Sequence, residues 1–313
     1  MKPMTVPRSV FRTASLISLA TAGLVLIPRV SVHGTGRPIT VFAGIPPIAG
    51  LTEKIGGDRV GVETLLRSGD NPHLFEPRPR QVAALGRADL FLSCGLPFEK
   101  RLTLKLKGMP SGPVTAEIFA GINGGSESDV PFGDQSHDGD HGEADPHVWL
   151  SPPLLRILSL NLFAALKSLD PASESFFQER LNRLLAEIDS LDLGIGQSLA
   201  SYRGRSFLAA HPSFGRFAEA YGLKQMSVES EGKSPSARGL AAIVREAREE
   251  RVSIVFTEPQ FDPSGAEAVA KAIGGTIAAV DPLGRDALKT IRSVTDILVR
   301  SFRDADAVGG MRP

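Results

Sequence analysis

Residues 172–200 form the longest amphipathic pattern in this chain, and it limits the possible folds more than any other feature. The pattern contains no proline, so a helix can run through it without interruption. Its apolar side chains recur at the spacing of one helical face. They are Phe176, Phe177, Leu181, Leu184, Leu185, Ile188, Leu191, Leu193, Ile195 and Leu199. At about 1.5 Å per residue, a helix of this length spans about 43 Å, the diameter of a domain or more. The pattern therefore predicts a helical strut between two lobes.

Short β-branched or apolar runs alternate with amphipathic stretches on both sides of this strut. Before it, we predict strands over residues 38–43, 59–66 and 89–93, a helix over 77–87, and a helix that opens at Pro152 with Ser151 as its cap. After it, we predict strands over 205–210, 253–257 and 276–280, and helices over 214–221, 236–250, 263–273 and 285–303. Such alternation predicts an α/β fold of two lobes, each with a mainly parallel β-sheet flanked by helices, joined by one long backbone helix.

Residues 1–33 have the layout of a secretory signal, with a basic stretch to Arg12 and an apolar run over residues 14–27. That run is shorter than the roughly 20 residues of a membrane-spanning helix, so we expect export to the periplasm rather than an anchor. The predicted division follows from these patterns. It comprises a signal peptide (1–33), an N-terminal α/β lobe (34–171), a linking backbone helix (172–200) and a C-terminal α/β lobe (201–313).

The chain has 35 basic and 35 acidic residues, but they are unevenly distributed. Residues 1–33 hold four basic side chains and no acid, so without them 31 basic residues face 35 acidic ones. A slightly acidic mature chain does not favour nucleic acid as a partner. Seven of the acids lie within residues 121–146, which contain no Lys or Arg and are rich in Gly and Ser. This composition predicts an acidic surface loop.

Two of the six histidines directly follow a proline, in Asn71-Pro72-His73 and Asp145-Pro146-His147. A proline fixes its own φ and restricts the preceding residue, so each of these imidazoles is attached to a stiff backbone. A stiff backbone suits a side chain that holds a ligand atom in place. We therefore interpret His73 and His147 as candidate ligands of a divalent metal.

Two further candidates follow predicted strands immediately. His211 comes after the strand over 205–210, and Asp281 comes after the strand over 276–280. Open α/β sheets bind their ligands at the carboxyl ends of such strands. If the lobes face each other, three imidazoles and one carboxylate meet, a donor set that suits Zn²⁺. Each residue also has a simpler interpretation, because His211 before Pro212 is often a capping or core residue and Asp281 is a common turn residue.

Three other residues are weaker candidates for a role in metal binding. His137 and His141 lie in the acidic loop. They either assist metal capture as accessory ligands or are solvent-exposed side chains with no role in binding. Glu258 follows the predicted strand over 253–257, and we interpret it as a carboxylate that accepts the other ring N–H of a ligand histidine, or as a packing residue.

Five groups of residues occur in a fixed order along the chain. They are Asn71-Pro72-His73-Leu74-Phe75-Glu76-Pro77; Ala88-Asp89-Leu90 with Gly95 and Glu99; Asp145-Pro146-His147-Val148-Trp149-Leu150-Ser151-Pro152; His211-Pro212-Ser213-Phe214 with Tyr221-Gly222-Leu223; and Asp281-Pro282-Leu283-Gly284. In residues, order and spacing they resemble the metal-binding solute-binding proteins of bacterial ABC importers (cluster A-I), in particular the zinc receptors of the ZnuA and TroA type. The likeness covers nearly the whole chain after residue 33.

The resemblance implies a receptor rather than an enzyme. In that family, two α/β lobes are joined by one long helix and the metal lies between them. The resemblance implies that His73, His147, His211 and Asp281 are the four ligands of Zn²⁺ and that the ion passes to the membrane permease of an ABC importer. A monomer is expected, and a metallochaperone is a further candidate partner.

Other functions are weighed against this one. Manganese receptors of the family typically have a glutamate where this chain has His211, so the histidine favours zinc, although manganese or iron stays an alternative. A zinc metallohydrolase is a second alternative, because His73 and Glu76 fit a short His-x-x-Glu pattern, although four protein ligands would leave no open position for water. A metal-stabilised adhesin is the third, and removal of its metal should unfold it.

Overall fold

The computed structural model describes residues 37–109, 111–122, 145–229 and 235–309. Within them, two four-stranded sheets form, and the neighbouring strands of each are parallel. The strands are β1 (Ile39–Ala43), β2 (Val60–Thr64), β3 (Leu90–Ser93), β4 (Val114–Glu117), β5 (Ser206–Ala209), β6 (Lys224–Ser227), β7 (Ile254–Thr257) and β8 (Thr276–Ala279). The strand orders are β2-β1-β3-β4 and β6-β5-β7-β8. Both sheets therefore share one topology, with each half of the chain forming its own lobe.

Helices cover these sheets and connect them. They are α1 (Pro46–Gly56), α2 (Pro79–Leu85), α3 (Pro97–Lys107), α4 (Pro152–Leu169), α5 (Glu174–Leu199), α6 (Gly215–Tyr221), α7 (Ala237–Glu249), α8 (Ser264–Ile273) and α9 (Ala287–Gly309). No helix in the described ranges is both long and apolar enough to cross a membrane. The predicted signal peptide lies outside the described residues, and the domain boundaries stay predictions.

Helix α5 is the strut that the sequence predicts. Its 26 residues span about 39 Å, and its buried side chains recur every three or four residues, at Phe177, Leu181, Leu184 and Ile188 among others. One part of the helix packs on α1 and α4 of the N-terminal lobe, and it also contacts α6 and α9 of the C-terminal lobe. The predicted two-lobed α/β architecture is confirmed.

The main apolar core runs through both lobes without interruption. It includes Phe91 of the first sheet, Leu184 of α5, Phe207 of the second sheet and Phe302 of α9, all of them almost fully buried. A smaller cluster lies under α7 and α8 of the C-terminal lobe, around Val255 and Val269. Because the strut belongs to the shared core, separating the lobes would expose apolar surface to water, at a free-energy cost of about 25 cal/mol for each Å² exposed.

The segment between β8 and α9 is also attached to the N-terminal lobe. Trp149 donates its indole N–H to the carbonyl oxygen of Pro282 at 2.8 Å. Arg285 donates two hydrogen bonds to the carboxylate of Glu53 on α1, at 2.6 and 3.0 Å. A Cβ atom on Gly50 would lie only 1.9 Å from the carbonyl oxygen of Arg285. Position 50 of α1 therefore requires glycine, because any side chain there would collide with this segment.

The observed elements agree with the predicted ones to within a few residues, except for four that the sequence patterns did not reveal: α1, α3, β4 and β6. The two missed strands lie at sheet edges, where β4 is half-exposed and β6 carries the polar sequence Lys-Gln-Met-Ser. The predicted cap of α4 is wrong. Ser151 occupies the N-cap position but its side chain makes no cap hydrogen bond, and prolines at the first two helical positions remove two of the available N–H donors.

A buried carboxyl group, that of Glu99, holds the loop between β3 and α3. Its Oε2 accepts hydrogen bonds from the amides of Cys94 at 2.8 Å and Leu96 at 2.9 Å. The other oxygen points at the backbone of Gly44, where an added Cβ would lie 1.5 Å away. Burial raises the pKa of Glu99 to about 7, although its hydrogen bonds oppose the shift.

We expect this carboxyl group to make the fold less stable as the pH rises. Since its pKa is higher in the folded chain than its ordinary value of 4.5, the folded state binds the proton more tightly. The free energy of unfolding should fall between about pH 5 and pH 8, by on the order of 3 kcal/mol from this group. Urea unfolding of metal-free wild type and Glu99→Gln over this range measures the effect. Parallel pH profiles for the two proteins would contradict it.

Candidate metal centre

Three imidazoles from the two lobes converge at the carboxyl edges of the sheets. His73 lies in the loop after β2, His147 lies just before α4, and His211 follows β5 by two residues. The ring centroid of His211 is 4.8 Å from that of His73 and 5.4 Å from that of His147. The structure thus brings together three of the four predicted ligands, one of them from the C-terminal lobe.

Both Pro-His segments are held by the same local turn. The backbone amide of His73 donates to the side-chain oxygen of Asn71, and the amide of His147 donates to a carboxylate oxygen of Asp145, each at 2.9 Å. These are Asx turns with a proline at their centre. The pattern Asx-Pro-His therefore fixes the backbone of each histidine through contacts within its own segment.

His73 and His211 meet across the cleft with their Nε2 atoms 3.1 Å apart. At this distance one Nε2 atom donates a hydrogen bond to the other. Two imidazole nitrogens on a tetrahedral Zn²⁺, at about 2.0–2.1 Å from the ion, lie about 3.3 Å from each other. A separation that is only a few tenths of an ångström shorter means that these two rings fit a shared ion with little movement.

The second nitrogen of His147 is already occupied. Its Nδ1 atom lies 2.7 Å from the Oδ1 atom of Asp145. Burial of Asp145 is outweighed by the hydrogen bonds and charge of His147, so the pKa of this carboxyl group lies below its usual range. Arg216 donates to the carbonyl oxygen of Asp145 at 3.3 Å, and a Cβ on Gly215 would lie 2.6 Å from the carboxylate. Asp145 therefore links the His147 turn to α6 in the other lobe.

His211 is the most deeply buried of the three rings. It stacks on Phe261 with a centroid distance of 4.3 Å and an interplanar angle of 15°. Burial lowers its pKa to about 3, and the neighbouring His147 and His73 add to that shift. The imidazole is therefore neutral at physiological pH, which is the form that binds a metal ion.

Asp281 lies beside this cluster in a turn. Its Oδ1 atom accepts hydrogen bonds from the amide of Leu283 at 2.9 Å and from the side chain of Gln260 at 2.6 Å. The hydroxyl group of Ser68, on the His73 loop, lies 3.4 Å from its other oxygen. Gln260 precedes the Phe261 ring that stacks on His211. Asp281 thus has the turn role of the simpler interpretation, and its role as a fourth ligand stays a prediction.

Glu258 is buried and hydrogen-bonded to a neighbouring side chain, which fits the packing alternative, and its role beside a ligand histidine stays a prediction. Its Oε2 atom accepts a hydrogen bond from the hydroxyl group of Ser213 at 3.1 Å, and burial raises its pKa well above the ordinary value. The carboxylate that faces Nδ1 of His211 is that of Glu229, at 3.8 Å. Sequence reasoning missed Glu229 because it follows the unrecognised edge strand β6. It also missed Phe261 and the pairing of Asp145 with His147.

No group of three or more His, Cys, Asp or Glu side chains within the described ranges is already arranged to hold a metal ion. The imidazoles are close together but hydrogen-bonded to each other and to carboxylates. His137 and His141 lie outside the described residues, so their accessory role stays a prediction.

Two parallel-sheet lobes on a single long helix, with imidazoles from both lobes meeting in the cleft, define a metal-binding receptor of the two-lobed class. The family model for ZnuA, described as the periplasmic component A of a zinc-uptake complex, matches residues 41–300, and the chain belongs to this family. Membership confirms the predicted family and the prediction that the chain is a solute-binding component rather than an enzyme.

Two curated relatives illustrate the similarity. The zinc-binding lipoprotein AdcA of Streptococcus pneumoniae strain R6 is 26% identical over 278 residues, which are 86% of this chain and 55% of AdcA. The chain therefore spans about half the length of the AdcA proteins that it matches. The high-affinity zinc uptake system protein ZnuA of Bacillus subtilis is 27% identical over 258 residues, 81% of each chain.

Solved structures agree with this assignment. A crystal structure of ZnuA has a TM-score of 0.75 and 33% identity, and the match covers 84% of this chain and 99% of that one. The laminin-binding protein Lmb of Streptococcus agalactiae, described as a bifunctional protein with adhesin and metal transporting activity, has a TM-score of 0.72 and 25% identity over 84% and 99% of the two chains.

We expect His211 to remain neutral in the metal-free protein from about pH 5 to pH 8, because its pKa of about 3 lies below this range. NMR spectra of protein labelled with ¹⁵N-histidine report the protonation of each ring, and the spectrum of His211→Gln identifies the resonances of His211. A titration midpoint near the ordinary value of about 6.5 for this ring would contradict the expectation.

Proposed function

We propose that this protein is an extracytoplasmic receptor that captures Zn²⁺ between its two lobes and delivers the ion to the membrane permease of an ABC importer. The convergence of imidazoles from both lobes is the main support for this proposal, because an ion held there would bind both lobes at once, as expected of cargo carried in a cleft. Family membership supports it, since the family and its curated relatives are described by zinc uptake or zinc binding.

The proposed ligands are the Nε2 atoms of His73, His147 and His211 and the carboxylate of Asp281. His147 has its Nδ1 atom committed to Asp145, which leaves Nε2 for the ion. His73 and His211 already present their Nε2 atoms to each other. Asp281 accepts a hydrogen bond from Ser68 on the His73 loop, which places its carboxylate next to the loop that carries one of the imidazoles.

The donor set favours zinc over the other ions of this family. Imidazole nitrogen is a borderline donor that suits Zn²⁺, whereas Mn²⁺ prefers sites rich in oxygen. A set of three nitrogens and one oxygen also matches the tetrahedral geometry that Zn²⁺ adopts in closed sites. Manganese or iron as cargo is the alternative within the same family.

The remaining parts of the proposal concern the setting of the receptor. We propose that residues 1–33 direct the chain to the periplasm, that the receptor acts as a monomer, and that the His137 and His141 loop assists capture. Its partner is the membrane permease, and a metallochaperone is a further candidate partner.

Competition between two metals tests the cargo. When metal-stripped protein is offered equal concentrations of Zn²⁺ and Mn²⁺, native mass spectrometry should show one tightly bound zinc in wild type and none in His211→Ala, which removes a central ligand. Tyr221→Phe is the matched control, because it removes a hydroxyl group bound to Asp192 in the same part of the chain. Preferential loading of manganese would overturn the zinc assignment, and no bound metal in wild type would overturn the receptor.

A second candidate is a metal-stabilised adhesin, which the description of Lmb as both adhesin and transporter favours. The two functions differ in what happens when the metal is removed. A continuous core that does not depend on the ion should keep the stripped receptor folded. Saturating Zn²⁺, at about 100 times its Kd, should then raise the free energy of unfolding by about 2.7 kcal/mol.

Circular dichroism and thermal unfolding of the chelator-treated protein distinguish the candidates. We expect unchanged helical signal and a cooperative transition without metal, with a higher Tm after zinc is restored. Loss of the helical signal on chelation would instead indicate a structural metal, as in an adhesin that the ion stabilises.

A further inference from the structure

Two of the proposed ligand imidazoles differ in how their second nitrogen is held. The Nδ1 atom of His147 is hydrogen-bonded to Asp145 at 2.7 Å. Within the part of the chain that the structure describes, the Nδ1 atom of His211 has no hydrogen-bond partner, and neither does the Oε2 atom of Glu229, which lies 3.8 Å away. Both side chains are buried, with only 3% of His211 and 8% of Glu229 exposed.

Two buried, unpartnered polar atoms that face each other are costly to the fold. Each loses its hydrogen bonds to water without replacement, at about 1–3 kcal/mol per group. Such groups are uncommon in folded proteins, and each calls for an explanation such as a functional role or a bound water or ion. Here the simplest explanation is a hydrogen bond that forms in a second state of the molecule.

Glu229 is the carboxylate that faces the Nδ1 atom of His211, at 3.8 Å. Phe261 covers one face of the His211 ring. Glu258 has one oxygen bound to Ser213, and its other oxygen is buried without a partner among the described residues, but of these two carboxylates only Glu229 forms a close pair with the His211 ring there. Beside Glu229 is a cavity of about 160 Å³, lined also by Val228, Leu240 and Asp262, which gives its side chain room to move.

We infer that Glu229 is the positioning residue of His211: its carboxylate accepts the Nδ1–H of this imidazole when Nε2 binds the metal ion. The inference rests on the proposed function, because it assigns His211 to the cargo site. An ion between His73 and His211 requires their Nε2 atoms to be about 3.3 Å apart rather than 3.1 Å. The Nδ1 atom of His211 and the Oε2 atom of Glu229 are 3.8 Å apart, so a relative movement of about 1 Å brings them within hydrogen-bond distance.

The two carboxylates therefore act at different stages. Asp145 holds His147 in its binding tautomer before the ion arrives, whereas Glu229 engages His211 only as the ion binds. A carboxylate that accepts the Nδ1–H makes the opposite nitrogen a stronger donor. A stronger nitrogen donor at this position increases the preference of the site for Zn²⁺ over Mn²⁺.

Zinc titration of three variants tests this inference. Glu229→Ala removes the acceptor, and we expect the Kd for Zn²⁺ to rise by about 10–100-fold. Glu229→Gln keeps an acceptor oxygen without the charge and should restore part of that loss. Asp262→Asn is the matched control, because it removes a negative charge from the same cavity wall while its oxygen still accepts from Ser264. Its Kd should stay within about twofold of wild type.

NMR of zinc-loaded, ¹⁵N-histidine-labelled protein measures the hydrogen bond at Nδ1 of His211 directly. Substitution of Glu229 would leave this signal unchanged if Glu229 only stabilised the fold. In wild type, the Nδ1–H proton of His211 should be shifted downfield and protected from exchange with solvent, and Glu229→Gln should move this resonance. If Glu229→Ala does not fold, the glutamine variant and this resonance decide the question.

The outcomes separate this inference from the proposed function. Wild type that does not bind Zn²⁺ overturns both. Tight binding by wild type with an unchanged Kd in Glu229→Ala, or with an equal loss in Asp262→Asn, overturns the role of Glu229 alone. A His211 Nδ1–H resonance that is identical in wild type and Glu229→Gln does so as well.

Discussion

The whole arrangement depends on the shared apolar core along α5. Because the strut buries one stripe of side chains against helices of both lobes, the two sheets keep a fixed separation with their carboxyl edges turned toward one cleft. Loops that leave those edges then need no long-range adjustment to bring His73, His147 and His211 together. Burial of apolar surface, rather than the metal ligands, sets the geometry in which the ligands meet.

Carboxylate groups beside the imidazoles determine which ring nitrogen is available to a metal ion. Neutral imidazole can bind a metal through either of its two nitrogens. When one nitrogen makes a hydrogen bond, only the other is left to bind the metal. Asp145 makes that decision for His147 through a turn only three residues long. In His211, deep burial keeps the ring neutral, and the inferred contact with Glu229 completes its orientation. The site thus uses local backbone geometry in one lobe and burial in the other.

The sequence was sufficient for the architecture and for the imidazole cluster, and the reasons are local. A proline-free amphipathic run predicts a long helix, and β-branched runs that end at a histidine or aspartate predict strand-end ligands. The pattern failed where burial is partial, as in the polar edge strand β6, and Glu229 was missed with that strand. The sequence interpretation of Glu258 as a partner of a ligand histidine stays a prediction, and its hydrogen bond to Ser213 fits the packing alternative.

The attachment of the β8–α9 segment to the N-terminal lobe has a mechanical consequence. Trp149 and Arg285 fasten this segment at points away from α5, so the lobes are connected along two separate lines rather than one. A body that is held along two lines resists torsion about either of them. The cleft consequently keeps a nearly constant width, and under the proposed function it would discriminate between ions by their radius and preferred donors rather than by how far the lobes close.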